Sequence, residues 1–141
     1  MRTMVAAFAL SLFPSAALAQ LPAIIVSQPS PQTVNASQDA AFTVNATNIL
    51  IGMTEEDSNG RYRIRYRWQR LPAGSNSPSD LTESGTYNGT RTATLTVKNV
   101  SSAMSGDRFQ CVVSNGVDPE RTSSQAELTV AGIPVPTITS P

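Results

Sequence analysis

The chain has 141 residues, ten basic and ten acidic side chains, no histidine and a single cysteine, Cys111. An even charge balance argues against a globally basic nucleic-acid binder, so no nucleic-acid partner is expected. The absence of histidine removes the usual general base near neutral pH and the commonest metal ligand, and one cysteine leaves no internal disulfide, so stability must rest on an apolar core.

Met1-Arg2-Thr3 forms a short basic start, Val5 to Phe13 is an apolar run, and Ala17-Leu18-Ala19 has the spacing of a signal-peptidase site. Residues 1–19 therefore read as a signal peptide cleaved after Ala19, with Gln20 opening the mature chain. The apolar run is too short to span a bilayer as a helix. No other stretch is apolar enough to do so, and the mature chain is expected to be secreted, periplasmic or at the cell surface. Without Arg2 it keeps nine basic and ten acidic residues, a net charge of −1.

From residue 21 the chain breaks into short runs with a period of two. Residues 21–32, LPAIIVSQPSPQ, are apolar but punctuated by proline, which suits an edge strand. Residues 40–46 place Ala40, Phe42, Val44 and Ala46 on one face. Residues 61–69 place Tyr62, Ile64, Tyr66 and Trp68 on one face and Arg61, Arg63, Arg65 and Arg67 on the other. Residues 91–98 alternate Ala93, Leu95 and Val97 with threonines. Residues 108–114 group Phe109, Cys111 and Val113, and residues 125–130 group Ala126, Leu128 and Val130. This alternation, rich in β-branched and aromatic residues, predicts half-buried strands, with weaker ones near 24–34 and 80–87. Between them lie turn residues: Glu55 to Gly60, the loop Pro72 to Pro78, Asn88-Gly89 and Asn115-Gly116. No stretch keeps a helical period. The predicted fold is an all-β sandwich of two antiparallel sheets over residues 20–131, with residues 132–141 as a Pro-rich linker or tail.

The segments Tyr66-Arg67-Trp68-Gln69, Leu95 to Val100, Ser105 to Asn115 and Gln125 to Val130 together resemble an immunoglobulin-like domain, close to the intermediate set of bacterial surface proteins. The resemblance covers about residues 22–130 and implies Greek-key connections, with Trp68 on strand C, Cys111 on strand F and residues 125–130 as strand G. It also exposes three departures. Val44 stands where the first cysteine of the inter-sheet disulfide would be. Phe109 stands where a corner tyrosine would offer its hydroxyl. The stretch from Val44 to Trp68 is longer than the family's, which leaves the course of residues 47–60 open. Val44, Trp68, Leu95, Phe109 and Cys111, with Phe42 and Leu128, are the expected core. The residues around Trp68 and those around Cys111 are expected to face each other across it.

Cys111 reads as a buried small hydrophobe, not a reactive thiol. Glu55 to Asn59 carries oxygen ligands but lacks the spacing of a calcium loop, and reads as a solvated acidic turn. Asn35, Asn45, Asn88 and Asn99 begin N-x-S/T triplets, expected to be bare in a bacterial protein. The arginine row Arg61, Arg63, Arg65 and Arg67 is the candidate binding face. Four like charges in line repel unless carboxylates such as Glu55, Glu56, Asp57, Asp80 or Glu83, or an anionic partner, answer them. Nothing assembles into catalysis, and neither cofactor nor metal is expected. The expected function is a secreted binding or adhesion module whose partner is an extracellular protein or an anionic glycan. The alternatives are a structural spacer of a larger surface protein, with further domains beyond Pro141, or an accessory domain of a secreted enzyme.

Overall fold

A computed structural model describes residues 21–49 and 63–132, and these form a two-layer β-sandwich. Strand β1 (Ile24–Ser27) pairs antiparallel with β4 (Asn45–Thr47), and β3 (Ala40–Thr43) pairs antiparallel with β8 (Thr94–Val97). β3 and β4 are separated only by Val44, whose N–H donates to the Ala93 carbonyl at 2.9 Å, so these strands and β7 (Tyr87–Asn88) make one layer. The other layer runs β2 (Gln32–Asn35), β11 (Ala126–Ala131), β9 (Arg108–Ser114), β5 (Arg65–Leu71) and β6 (Ser79–Asp80), with β10 (Arg121–Thr122) also on β9. Pro29 and Pro31 lie between β1 and β2, where the chain leaves one sheet for the other, as proline's missing N–H permits. Not every pairing is antiparallel: β2 runs parallel to β11 over four register positions. Among the described residues helix is confined to one 3-10 turn, Ser102–Met104. Among the described residues no helix is long and apolar enough to cross a membrane.

The core holds every residue expected of it. Phe42, Val44, Trp68, Leu95, Phe109, Cys111 and Leu128 are all buried. Their arrangement differs from the expectation in one respect. Trp68 sits directly opposite Cys111 in the β5–β9 register, so the two are side by side in one sheet, not facing each other across the interior. The opposing layer supplies Phe42, whose ring centroid lies 4.9 Å from that of Phe109. That distance is within the range of favourable aromatic pairs, so Phe109 ties the layers together by its face. The Trp68 indole N–H donates to the Thr92 carbonyl at 2.8 Å, which satisfies the one polar atom of the buried ring.

Two strands begin later than their alternation suggests. β5 starts at Arg65 and continues to Leu71; Arg61 and Tyr62, like residues 50–60, lie outside the described residues. β8 starts at Thr94 because Gly89 to Ala93 form a turn. Thr92 Oγ1 there donates to the Gly89 or Thr94 carbonyl, and Glu83 accepts from the Thr90 N–H and Oγ1 at 2.6 and 2.8 Å. Gly89 has φ +77°, and a Cβ on it would meet the Thr94 carbonyl oxygen, so the turn requires glycine.

The end of the sandwich is closed by Asp107. Its side chain is 2% exposed and accepts from Arg70 Nε at 2.7 Å and from the Ala73 N–H at 3.0 Å. Its backbone carbonyl accepts from the Leu128 N–H at 2.8 Å. Arg70 shares Trp68's side of β5, so its charge points toward the interior and is held there, with the guanidinium pKa raised by the Asp107 bond first.

Two outcomes follow for stability. Burial pushes the Cys111 thiol up to about 11, so it should resist a thiol reagent at pH 8 in the native protein and react fully in denaturant, read by mass spectrometry. Asp107→Ala leaves the Ala73 N–H without its acceptor and Arg70 with Tyr87 in place of a carboxylate, and should cost about 1–3 kcal/mol in a urea unfolding titration.

Candidate functional site

The outer face of the β5–β9 sheet follows from the register. Trp68 and Tyr66 point inward opposite Cys111 and Val113, so Arg65, Arg67 and Gln69 point outward opposite Ser114, Val112 and Gln110. Neighbours across this face are joined by hydrogen bonds. Gln110 Nε2 donates to Gln69 Oε1 at 2.8 Å, Gln125 Nε2 to Gln110 Oε1 at 3.3 Å, and Gln69 Nε2 to Asp80 Oδ1 at 2.7 Å. Arg108 Nη1 donates to Gln125 Oε1 at 2.7 Å and extends the belt to the 72–78 loop through Asn76. This amide ladder fixes side chains that would otherwise be mobile, and Gln110 in its middle is buried.

The expected arginine row divides in two. Arg67 reaches Asp80 Oδ1 at 2.8 Å with Nη1 and Glu120 Oε2 at 3.1 Å with Nη2. These pairs bridge from the β6 side to the β10 side, and Val112, opposite Arg67, is buried despite its outward direction. The Gln69 hydrogen bond, and then Arg67, hold the Asp80 carboxyl below its usual value, while the bond to Asp80 raises the Arg67 guanidinium. Arg67 is thus answered within the protein. Glu83, by contrast, serves the 89–90 turn and pairs with no arginine among the described residues. Arg61 and the carboxylates Glu55, Glu56 and Asp57 lie outside the described residues.

Arg63 and Arg65 remain. Both are exposed, and no carboxylate among the described residues pairs with either. They flank a cleft of about 560 Å³ lined by Arg63, Ile64, Arg65 and Tyr66 on one wall and Arg91, Thr92 and Ala93 on the other. Arg91 is the residue that sequence reasoning missed, because it was read as the first residue of a strand. The Trp68 N–H donates to the Thr90 carbonyl at 3.1 Å, and with the indole bond to Thr92 this holds the turn against β5. Asn88-Gly89 was a visible signal for a turn; its docking place was not. The site therefore joins Arg63 and Arg65, without a described counter-charge, and Arg91, which feels the charge of Asp80, to partly apolar walls, an arrangement able to hold an anion that also carries apolar groups. Among the described residues no three histidine, cysteine or acidic side chains gather as a metal-binding group.

No protein-family model and no curated protein matches the chain. Solved structures do match. A chimeric titin Z1Z2 protein is similar with a TM-score of 0.56 and 20% identity, over 82% of this chain and 99% of the other. A Dscam structure matches with a TM-score of 0.59 and 16% identity, over 80% of this chain and a quarter (25%) of the other. The N-terminal Ig1-2 module of the Drosophila receptor protein tyrosine phosphatase DLAR matches with a TM-score of 0.57 and 17% identity, over 81% of this chain and 51% of the other. At these identities the likeness is one of fold: the chain has an immunoglobulin-like fold.

Asp80 generates a pH prediction. Its folded pKa lies below its unfolded one, so its contribution is complete above the ordinary carboxylate value and is lost as pH falls through the depressed folded value. Asp80→Asn should therefore flatten the acid limb of stability against pH below about 4, by less than about 1 kcal/mol for so exposed a pair, in urea titrations at stepped pH.

Proposed function

We propose that this chain is an extracellular binding module that engages an anionic partner through Arg63, Arg65 and Arg91, and is not itself a catalyst. The observation that carries this reading is the division of the arginine row. Two carboxylates, one of them held by Gln69, answer Arg67, whereas Arg63 and Arg65 stay exposed beside a cleft whose far wall adds Arg91. Successive outward residues on one strand lie about 6.7 Å apart, so unanswered neighbours repel in the free protein. A ligand anion removes that repulsion and gains charge-assisted, forked hydrogen bonds. The signal-peptide pattern of residues 1–19 supports an extracellular setting. Immunoglobulin-like folds occur in modules that hold other domains apart as well as in modules that bind; the cationic cleft favours binding.

The test is retention of the protein on a sulfated oligosaccharide and on an acidic peptide, each at low and moderate salt. Both interactions should weaken as salt screens the charges. The double variant Arg63→Glu with Arg65→Glu should weaken them at least about tenfold, while Lys98→Glu on the other layer should leave them unchanged. Equal retention of wild type and double variant on both supports rejects the reading and favours a spacer.

A further inference from the structure

The cleft opens onto an unpaired stretch of sheet edge. On one side β5 is paired with β9 along its whole length, from Arg65 to Leu71. On the other side its partners are few. β6 pairs only with Gln69 and Arg70, the Leu81 N–H donates to the Trp68 carbonyl at 2.9 Å, and the Trp68 N–H is taken by Thr90. Trp68's peptide groups thus point away from β9. Alternation along β5 turns those of Tyr66 the same way, and Ile64, the residue just before the strand, continues the same row. Among the described residues no backbone group pairs with Tyr66 or Ile64 on that side. Both line the cleft, with Arg63 and Arg65 between and beside them and Arg91 opposite. Unpaired edge groups are a template for another strand unless the edge is covered or twisted away.

We infer that the cleft accepts an extended acidic segment of a partner protein, which adds as a strand to the β5 edge at Ile64 and Tyr66. This rests on the anionic-partner reading and narrows it to one chemistry. The main chain of the segment supplies the hydrogen bonds that Ile64 and Tyr66 lack. Its side chains alternate: carboxylates lie opposite Arg63 and Arg65, and apolar groups lie over Tyr66, on Trp68's side of β5, and over Ile64, which packs against the same core just before the strand. Arg91 meets a carboxylate from the far wall. A sulfated or carboxylated glycan satisfies the arginines equally well. It offers no regular row of amides and carbonyls for the edge and no period of two to match alternating arginine and apolar residues. Charge also sets the register: sliding the added strand by one residue would place carboxylates over Ile64 and Tyr66.

The probe is a capped peptide of about seven residues alternating Glu and Val, titrated into the full chain at low salt, with a sulfated oligosaccharide of similar charge as comparison. The peptide should bind, and hydrogen exchange of the Ile64 and Tyr66 amides should slow in the complex. Two modified peptides, N-methylated on the Glu residues or on the Val residues, separate strand addition from charge attraction. Only one alternate set of amides faces β5, so one modified peptide should weaken at least about tenfold and the other should bind as the parent does. If neither weakens, if both weaken alike, or if the two protein amides stay unprotected, strand addition is wrong, whereas the anionic reading stands so long as Arg63→Glu with Arg65→Glu still abolishes binding. Binding of the oligosaccharide without the peptide also overturns it. If neither probe binds wild type more tightly than the double variant, the underlying reading fails too.

Discussion

The pairing of β5 with β9 in one register, with Trp68 against Cys111, is the constraint on which the molecule depends. A slip of one residue would exchange the aromatic set for the arginine set, driving Arg65 and Arg67 into the interior and the indole into water. Burying even one unpaired cation costs several kcal/mol, so this alternation excludes the wrong register as firmly as it favours the right one. β9 is flanked by β5 on one side and by β10 and β11 on the other, and residues Phe109 to Val113 are all buried. The same register reaches the cleft. With Trp68 fixed, its indole and its amide hold the turn at Thr90 and Thr92, and that turn carries Arg91 toward Arg63 and Arg65. Core and site are consequences of one alignment.

With Cys111 as its single cysteine the chain has no internal disulfide, so its layers are held by packing and hydrogen bonds. Loss of such a disulfide costs about 2–5 kcal/mol where a domain evolved with it. Here Val44 contributes a fully buried side chain to the core, worth about 1.5–3 kcal/mol in transfer terms. Phe109 packs on Phe42 and, at 6.4 Å, on Tyr87. Hydrogen bonding at this end of the domain comes from the Asp107 carboxylate, which binds Arg70 and the loop at Ala73. Asn115 plays a comparable part at the other end. Its buried amide donates to the Leu21 carbonyl and to Asn48 Oδ1, both at 3.0 Å, and so ties the start of the domain to the end of β4 and to the turn after β9.

What could be read from the sequence was whatever depends on neighbours along the chain. The runs 108–114 and 125–130 alternate cleanly and became strands almost to the residue. The run 91–98 alternates as cleanly, but the Thr92 hydroxyl near its start binds turn backbone and that of Thr90, just before it, binds Glu83, a local competition that the period alone does not reveal. The arginine row was legible as an outward face. Which arginine is free was not, because Asp80 is 13 and Glu120 is 53 residues distant from Arg67. Arg70 escaped notice for a related reason. It lies one step beyond the aromatic run, on the inward side, where a lone charge makes sense only with Asp107 beneath it, 37 residues further on. The parallel β2–β11 pair was equally invisible, since pairing direction is settled by where the proline-broken start of the chain lies down.

That parallel pair has a mechanical consequence. Because β2 and β11 run the same way, tension applied at residue 21 and at residue 132 pulls them past one another along their lengths. The register from Gln32 opposite Leu128 to Asn35 opposite Ala131 is then loaded in shear, with its hydrogen bonds strained together and not opened one by one from an end. A sheet edge clamped in this way resists stretching as a unit, because all its bonds must give at once.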